Sequence, residues 1–234
     1  METPEEKLKR LIWANQANNE EFFHLYGEME RAGEARMRLF SLLRESIYAG
    51  NEEAKEFFIK KIHQHGFSAC GEVDTLCAAA YMDDVAMIRT LVEMGCEVNA
   101  HGRYYNAFPL AEAASACRLA AVKELLRMGA EATMHHSYAL FAACQAPEQE
   151  STPVEKVAPV VKELLDAGAS PNPVIHTTSW SALLEALSNE DEDTAVLLIQ
   201  HGGRVPESES ITWWAEDMLK VMAALDEFNK RETK

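Results

Sequence analysis

The residues of this chain with chemical potential are few and scattered. His63-Gln-His65 is followed by Cys70, and imidazole and thiolate both ligate metals. A zinc site needs three or four such ligands at tetrahedral distances, yet no C-x-x-C or second histidine pair follows at suitable spacing. These residues read as polar groups at a helix end. Cys77, Cys117 and Cys144 alternate with alanines in apolar stretches, and a thiol buried there has a raised pKa, the opposite of an activated nucleophile. The chain has no G-x-S-x-G, no phosphate-binding glycine loop and no H-E-x-x-H. Glu190-Asp-Glu-Asp193 is a dense acidic run, but a calcium loop wants alternating oxygen ligands around a glycine. Carboxylates in such a run favour the positive end of a helix dipole instead. No catalytic residue, metal or cofactor is expected.

The elements that would position any site announce themselves through a period. Leu91-Val-Glu-Met-Gly-Cys-Glu-Val-Asn-Ala100 ends an apolar helix on a glycine and turns outward. The device recurs at Leu125–Ala132, Leu164–Pro171 and Leu197–Gly203, so that Gly95, Gly129, Gly168 and Gly202 are separated by 34, 39 and 34 residues. A period of this size marks stacked helical repeats. The outward excursions are Ser68–Val73, Ala100–Ala107, Thr133–Ser137 and Asn172–Trp180, rich in turn-forming residues. Gln145–Pro153 is an insertion with two prolines between the helices of one pair, and Pro159 belongs to the first turn of the helix after it. Before the repeats, Thr3-Pro4-Glu5-Glu6 has the form of a helix start, and Asn18–Met29 presents a second apolar face. After them, Ile211–Asn229 is an apolar helix suited to cover the end of a stack.

Bulk properties narrow the function classes. The net charge is −16, and residues 71–206 hold 8 basic against 19 acidic side chains. Such a surface repels phosphate backbones, so nucleic-acid binding is not expected; a basic protein would be drawn to it. Apolar runs are too short to span a bilayer, and the acidic Met1-Glu-Thr-Pro-Glu-Glu start has no signal-peptide pattern. Five cysteines, an odd number mostly within apolar helices, point to a reducing intracellular compartment, the cytoplasm.

Phe108-Pro-Leu-Ala-Glu-Ala-Ala114 and Asp74-Thr-Leu-Cys-Ala-Ala-Ala80, together with Leu91–Ala100, resemble the opening and closing motifs of the ankyrin repeat family. The family's Thr and His at the opening are missing; Asp74 and Cys77, Phe108 and Ala111, Tyr138 and Phe141, and Ser181 and Leu184 stand there. The resemblance implies an all-α fold, a solenoid of helix-turn-helix repeats with short finger loops. Residues 1–36 form an N-terminal helical segment packed on the array. The repeats cover 37–206 (37–69, 70–103, 104–136, 137–176 and 177–206), and 207–234 supply a capping helix and tail. It further implies a protein partner bound on the face made by the fingers and inner helices. That face would carry Arg103, Tyr104, Tyr105, His135, His136, His176 and Trp180 from the fingers, with Tyr81, Met82, Arg118 and Gln145 from the helices. Tyr, Trp and Arg dominate interface energetics. The expected function is therefore a non-enzymatic protein-binding module. The alternative is an acidic inhibitor or immunity-type protein that neutralises a basic toxin or enzyme.

Overall fold

The chain begins as its first residues dictate. The Thr3 hydroxyl accepts from Glu6 N at 3.2 Å while Glu6 returns a carboxylate to Thr3 N at 2.7 Å, a capping box that opens helix α1 (Pro4–Trp13). In the computed structural model, which describes residues 2–102, 107–173, 181–205 and 219–232, helices follow one another from there. They are α2 (Glu20–Arg31), α3 (Ala35–Tyr48), α4 (Glu52–Gln64), α5 (Val73–Tyr81), α6 (Val85–Glu93), α7 (Pro109–Ser115) and α8 (Leu119–Arg127). Next come α9 (Met134–Gln149), a 3-10 turn (Val154–Lys156), α10 (Val157–Asp166), α11 (Ala182–Ser188), α12 (Glu192–Gln200) and α13 (Leu219–Glu232). No strand occurs among the described residues; the fold is all-α.

Helices pair along the chain, α3 with α4, α5 with α6, α7 with α8, α9 with α10 and α11 with α12. The first member of each pair packs on the first member of the next, from α3 through α5, α7 and α9 to α11. Small side chains permit that approach: Ala78, Ala79, Ala80, Ala113, Ala114, Ala143, Ala182 and Ala186 are all essentially buried. The second members form another row, with α8 touching α6 and α10, and α10 touching α12.

Each second helix stops in the same way. After α6, Gly95 N donates to Val92 O and Cys96 N to Leu91 O, the bond pair of a Schellman motif, with Gly95 at φ +99°. The same pair of bonds closes α4, α8, α10 and α12. Asparagine side chains then tie one pair to the next. Asn99 donates to Gly129 O at 3.0 Å and accepts from Glu131 N at 3.0 Å. Asn172 repeats this with Gly202 O at 2.9 Å and Arg204 N at 2.7 Å. The acidic run behaves as a helix start: Asp191 caps α12 by accepting from Thr194 N at 3.0 Å.

The N-terminal helices rest on α3 and α4. Phe22, Tyr26, Phe57 and Phe58 interlock edge to face with centroids 4.9–6.2 Å apart, and Asn51 Nδ2 donates to Ile12 O at 2.9 Å. At the other end α13 lies on α12, burying Val221 and Ala224, with Lys220 Nζ 2.9 Å from Asp193 Oδ1.

Two local features depart from the sequence expectation. Residues 145–149 do not form a loop, since α9 runs through Pro147 to Gln149. Pro147 has no N–H to give Ala143 O, and that carbonyl instead takes the Cys117 thiol at 4.0 Å. At the other end of α9, His135, His136 and Ser137 all lie in left-handed backbone, with φ of +49°, +56° and +66°. The right-handed part of α9 therefore starts only after this turn.

Candidate functional site

The pairing places α5, the α7–α8 turn and the end of α9 side by side, and a polar groove of about 230 Å³ opens among them. Tyr81, Ala116, Arg118, Glu150, Ser151, Thr152, Pro153 and Lys156 line it. Tyr81 ends α5 and Arg118 immediately precedes α8. Arg118 Nε donates to the Tyr81 carbonyl at 2.8 Å, and its guanidinium carbon stands 6.0 Å from the centre of the Tyr81 ring. The Tyr81 hydroxyl donates to Glu150 Oε2 at 2.6 Å. That bond, then burial, pushes the Tyr81 pKa up, so the phenol stays protonated and keeps Glu150 in place. Neither Arg118 nor Lys156 pairs with a carboxylate among the described residues, leaving their remaining N–H groups for another acceptor.

The neighbouring face of α3, α5 and α7 is acidic and aromatic. Tyr48 is 38% exposed. Glu112 is part-buried, and burial followed by the charges of Glu150 and Asp74 raises its pKa. Asp74 itself lies 3.8 Å from Arg44. Further along, Gln145 donates to Glu185 Oε1 at 3.0 Å. A surface of this kind can hold a polypeptide by ring contacts, hydrogen bonds and charge.

The four buried cysteines lack the chemistry of an activated nucleophile. Burial raises the thiol pKa of Cys77 and Cys144, and pushes Cys96 and Cys117 up to about 12. Cys70 is exposed. His63 and Cys70 join no metal-binding group, and His65 stacks on Phe67 with centroids 5.4 Å apart. Among the described residues, no cluster of three or more His, Cys, Asp or Glu side chains could hold a metal.

The structure brings Tyr81 and Arg118 together and sets Met82, 36% exposed, beside them. His135 lies apart from this groove, against His101. His136, next to it, is exposed. Arg103, Tyr104, Tyr105, His176 and Trp180 lie outside the described residues. Sequence reasoning missed Glu150, Lys156 and Glu112. Glu150 is 69 residues from its tyrosine partner, and the only available signal was the insertion that delivers it. No helix among the described residues is long and apolar enough to cross a membrane. The sequence matches no family model and no curated protein.

Proposed function

We propose that the chain is an ankyrin-like repeat module that binds a protein partner across the face of α3, α5, α7 and α9, without catalysing a reaction. The observation that carries this reading is the Tyr81–Arg118–Glu150 constellation. A ring, a guanidinium and a carboxylate, drawn from three helix pairs, are fixed by mutual hydrogen bonds around one open groove. Groups held in place before binding lose little side-chain entropy on contact, which is how an interface gains affinity without great area. The recurring glycine stops support the repeat reading because each closes the second helix of a pair with the same bonds, and the Asn99 and Asn172 ties support it because each joins one pair to the next in the same way. Intracellular residence accords with five unpaired cysteines.

A second reading, an acidic inhibitor of a basic toxin or enzyme, draws on Asp74, Glu112 and Glu150. Burial, and then the charges of Glu150 and Asp74, raise the Glu112 pKa, and a cationic partner would relieve the repulsion among the three. One experiment tests both. Arg118→Gln with Glu150→Gln is compared with the parent protein in affinity capture and mass spectrometry, after matching their circular dichroism. A protein captured by the parent should be lost by the double variant, and retention of every specific partner refutes the groove. If the partner is basic, its association rate falls steeply with added salt. A rate indifferent to salt removes the second reading alone.

A further inference from the structure

We infer that the groove between Tyr81 and the α9–α10 connection is a seat for an oxyanion, a phosphoryl or carboxylate group that the partner polypeptide presents to Arg118 and Lys156. This rests on the reading of the groove as the place where a partner docks, and it adds the chemistry that the groove selects.

Residues 71–206 hold 19 acidic and 8 basic side chains, so carboxylates there far outnumber the cations that could pair with them. Arg89 and Arg127 are bound to Glu124, Lys123 to Glu163 and Lys162 to Asp166. Arg118 and Lys156 have no carboxylate at ion-pair distance among the described residues, and both line the same groove. They come from different helix pairs, Arg118 from the α7–α8 turn and Lys156 from the α9–α10 connection, so folding brings the two unpaired charges together.

Arg118 is also held ready. Its Nε is engaged by the Tyr81 carbonyl at 2.8 Å, with the guanidinium 6.0 Å from the centre of the Tyr81 ring. The two terminal nitrogens keep N–H groups without an acceptor among the described residues, and a guanidinium offers such a pair to an oxyanion as a bidentate fork. Ser151 and Thr152 add hydroxyls to the lining, neither of them bonded among the described residues and each able to rotate and donate. The volume of about 230 Å³ is below the roughly 300–1,000 Å³ of sites that enclose a small-molecule ligand, which suits one side-chain head group.

Glu150 opposes the two cations. Its Oε2 accepts from the Tyr81 hydroxyl at 2.6 Å, and its charge shares the lining with theirs. Two cations and one carboxylate leave the groove positive on a chain whose net charge is −16. Removing the Glu150 charge should therefore strengthen the hold on an anion and weaken the hold on a cation.

The test titrates the isotope-labelled full chain with inorganic phosphate, and separately with acetate, by nuclear magnetic resonance. Sodium chloride keeps the ionic strength constant, since added salt screens exposed charges. The backbone amide signals of Thr152 and Lys156 and the Nε–H signal of Arg118 should shift and saturate. Saturation at lower phosphate than acetate marks a phosphoryl seat, and the reverse order a carboxylate seat. Arg118→Gln and Lys156→Gln should each weaken binding by about tenfold or more, because each removes a charge-assisted hydrogen bond. Glu150→Gln, which keeps an oxygen for the Tyr81 hydroxyl, should tighten it by about threefold or more. Lys162→Gln removes the same charge from a pair outside the groove and should change nothing. Should Arg118→Gln perturb the fold, Lys156→Gln decides alone, because that side chain is exposed and bound to nothing among the described residues. Shifts that never saturate, parental binding in Lys156→Gln, or weaker binding in Glu150→Gln overturn the oxyanion seat. Capture of the partner by Glu150→Gln alone separates this outcome from failure of the docking reading. A partner that brings an oxyanion is retained; one that is lost docks in the groove through a cation, which overturns the seat and leaves the groove standing.

Discussion

Replacing Asn99 by alanine removes one side chain and two bonds between successive helix pairs, the donation to Gly129 O and the acceptance from Glu131 N. Each bond contributes about 0.5–1.5 kcal/mol net, and both are near solvent, which places the loss at about 1–2 kcal/mol in total. For a chain of this size that is a fall of about 2–8 °C in Tm. Urea denaturation measures the free energy, and amide hydrogen exchange assigns it. Glu131 N–H, bonded to Asn99 Oδ1, should exchange faster in Asn99→Ala. Arg204 N–H, bonded to Asn172 Oδ1, should not change. Asn99→Asp keeps the acceptor for Glu131 N and replaces the donor by an oxygen facing Gly129 O. It should therefore retain the protection of Glu131 while still losing stability. Asn172→Ala should mirror Asn99→Ala in the other junction, and the two costs should add because the bonds share no partner. If Asn99→Ala stays within about 0.5 kcal/mol of the parent and Glu131 exchange is unaltered, the asparagines are surface residues and not ties.

Two further predictions follow from stops and charges. Gly95→Ala should cost more than Gly129→Ala: both glycines have positive φ, worth about 1–2 kcal/mol to an alanine, but only at Gly95 would the new Cβ meet Ser68 Oγ, at 2.9 Å. Equal losses by denaturation would mean that Ser68 simply moves aside. Glu124, bound by Arg127 and by Arg89 at 2.7 Å and 3.2 Å, has a pKa held well below its usual value, first by the hydrogen bonds of Arg127 and then by those of Arg89. A lowered folded pKa means that its stabilising effect is full above the unfolded value near 4.5 and fades as the pH falls below it. Glu124→Gln should accordingly flatten the acid limb of the stability curve, and an unchanged slope below that pH would exclude the pairing.

What could be read from the residues alone was what local chemistry settles. Thr3-Pro4-Glu5-Glu6 made a recognisable helix start, and the run Glu190–Asp193 another, because the partners of such bonds lie within a few residues. Apolar spacing located the helices, and Pro159 does lie in the first turn of α10. The groove was half legible: Tyr81 and Arg118 are polar or aromatic residues at helix ends, but nothing in their spacing points to Glu150. The contact depends on α9 continuing past Pro147, a residue that local propensity reads as a helix breaker. The left-handed run at His135–Ser137 was illegible for a related reason. Residues other than glycine enter that region only when tertiary contacts hold them there, and local propensity argues against it. The His101–His135 contact joins residues 34 positions apart, so only the folded chain reveals it.

The irregular helix pair is where the chain departs most from its own period and also where the groove lies. In the regular pairs, a short turn such as Met82–Asp84 leaves little chain to stand above the surface, and the first helix of each pair presents a smooth row to its neighbours. The longer connection between α9 and α10 changes this. It extends α9 until Glu150 meets Tyr81, turns at Ser151 with φ of +51°, and brings Thr152, Pro153 and Lys156 to the opposite wall. Five of the eight lining residues thus come from the connection, and three come from the regular frame beneath it. Shortening the connection would leave Tyr81 and Arg118 joined but would remove the wall that makes them a groove. Since such loops are tolerated at small entropic cost, the frame can keep its packing while the connection carries specificity.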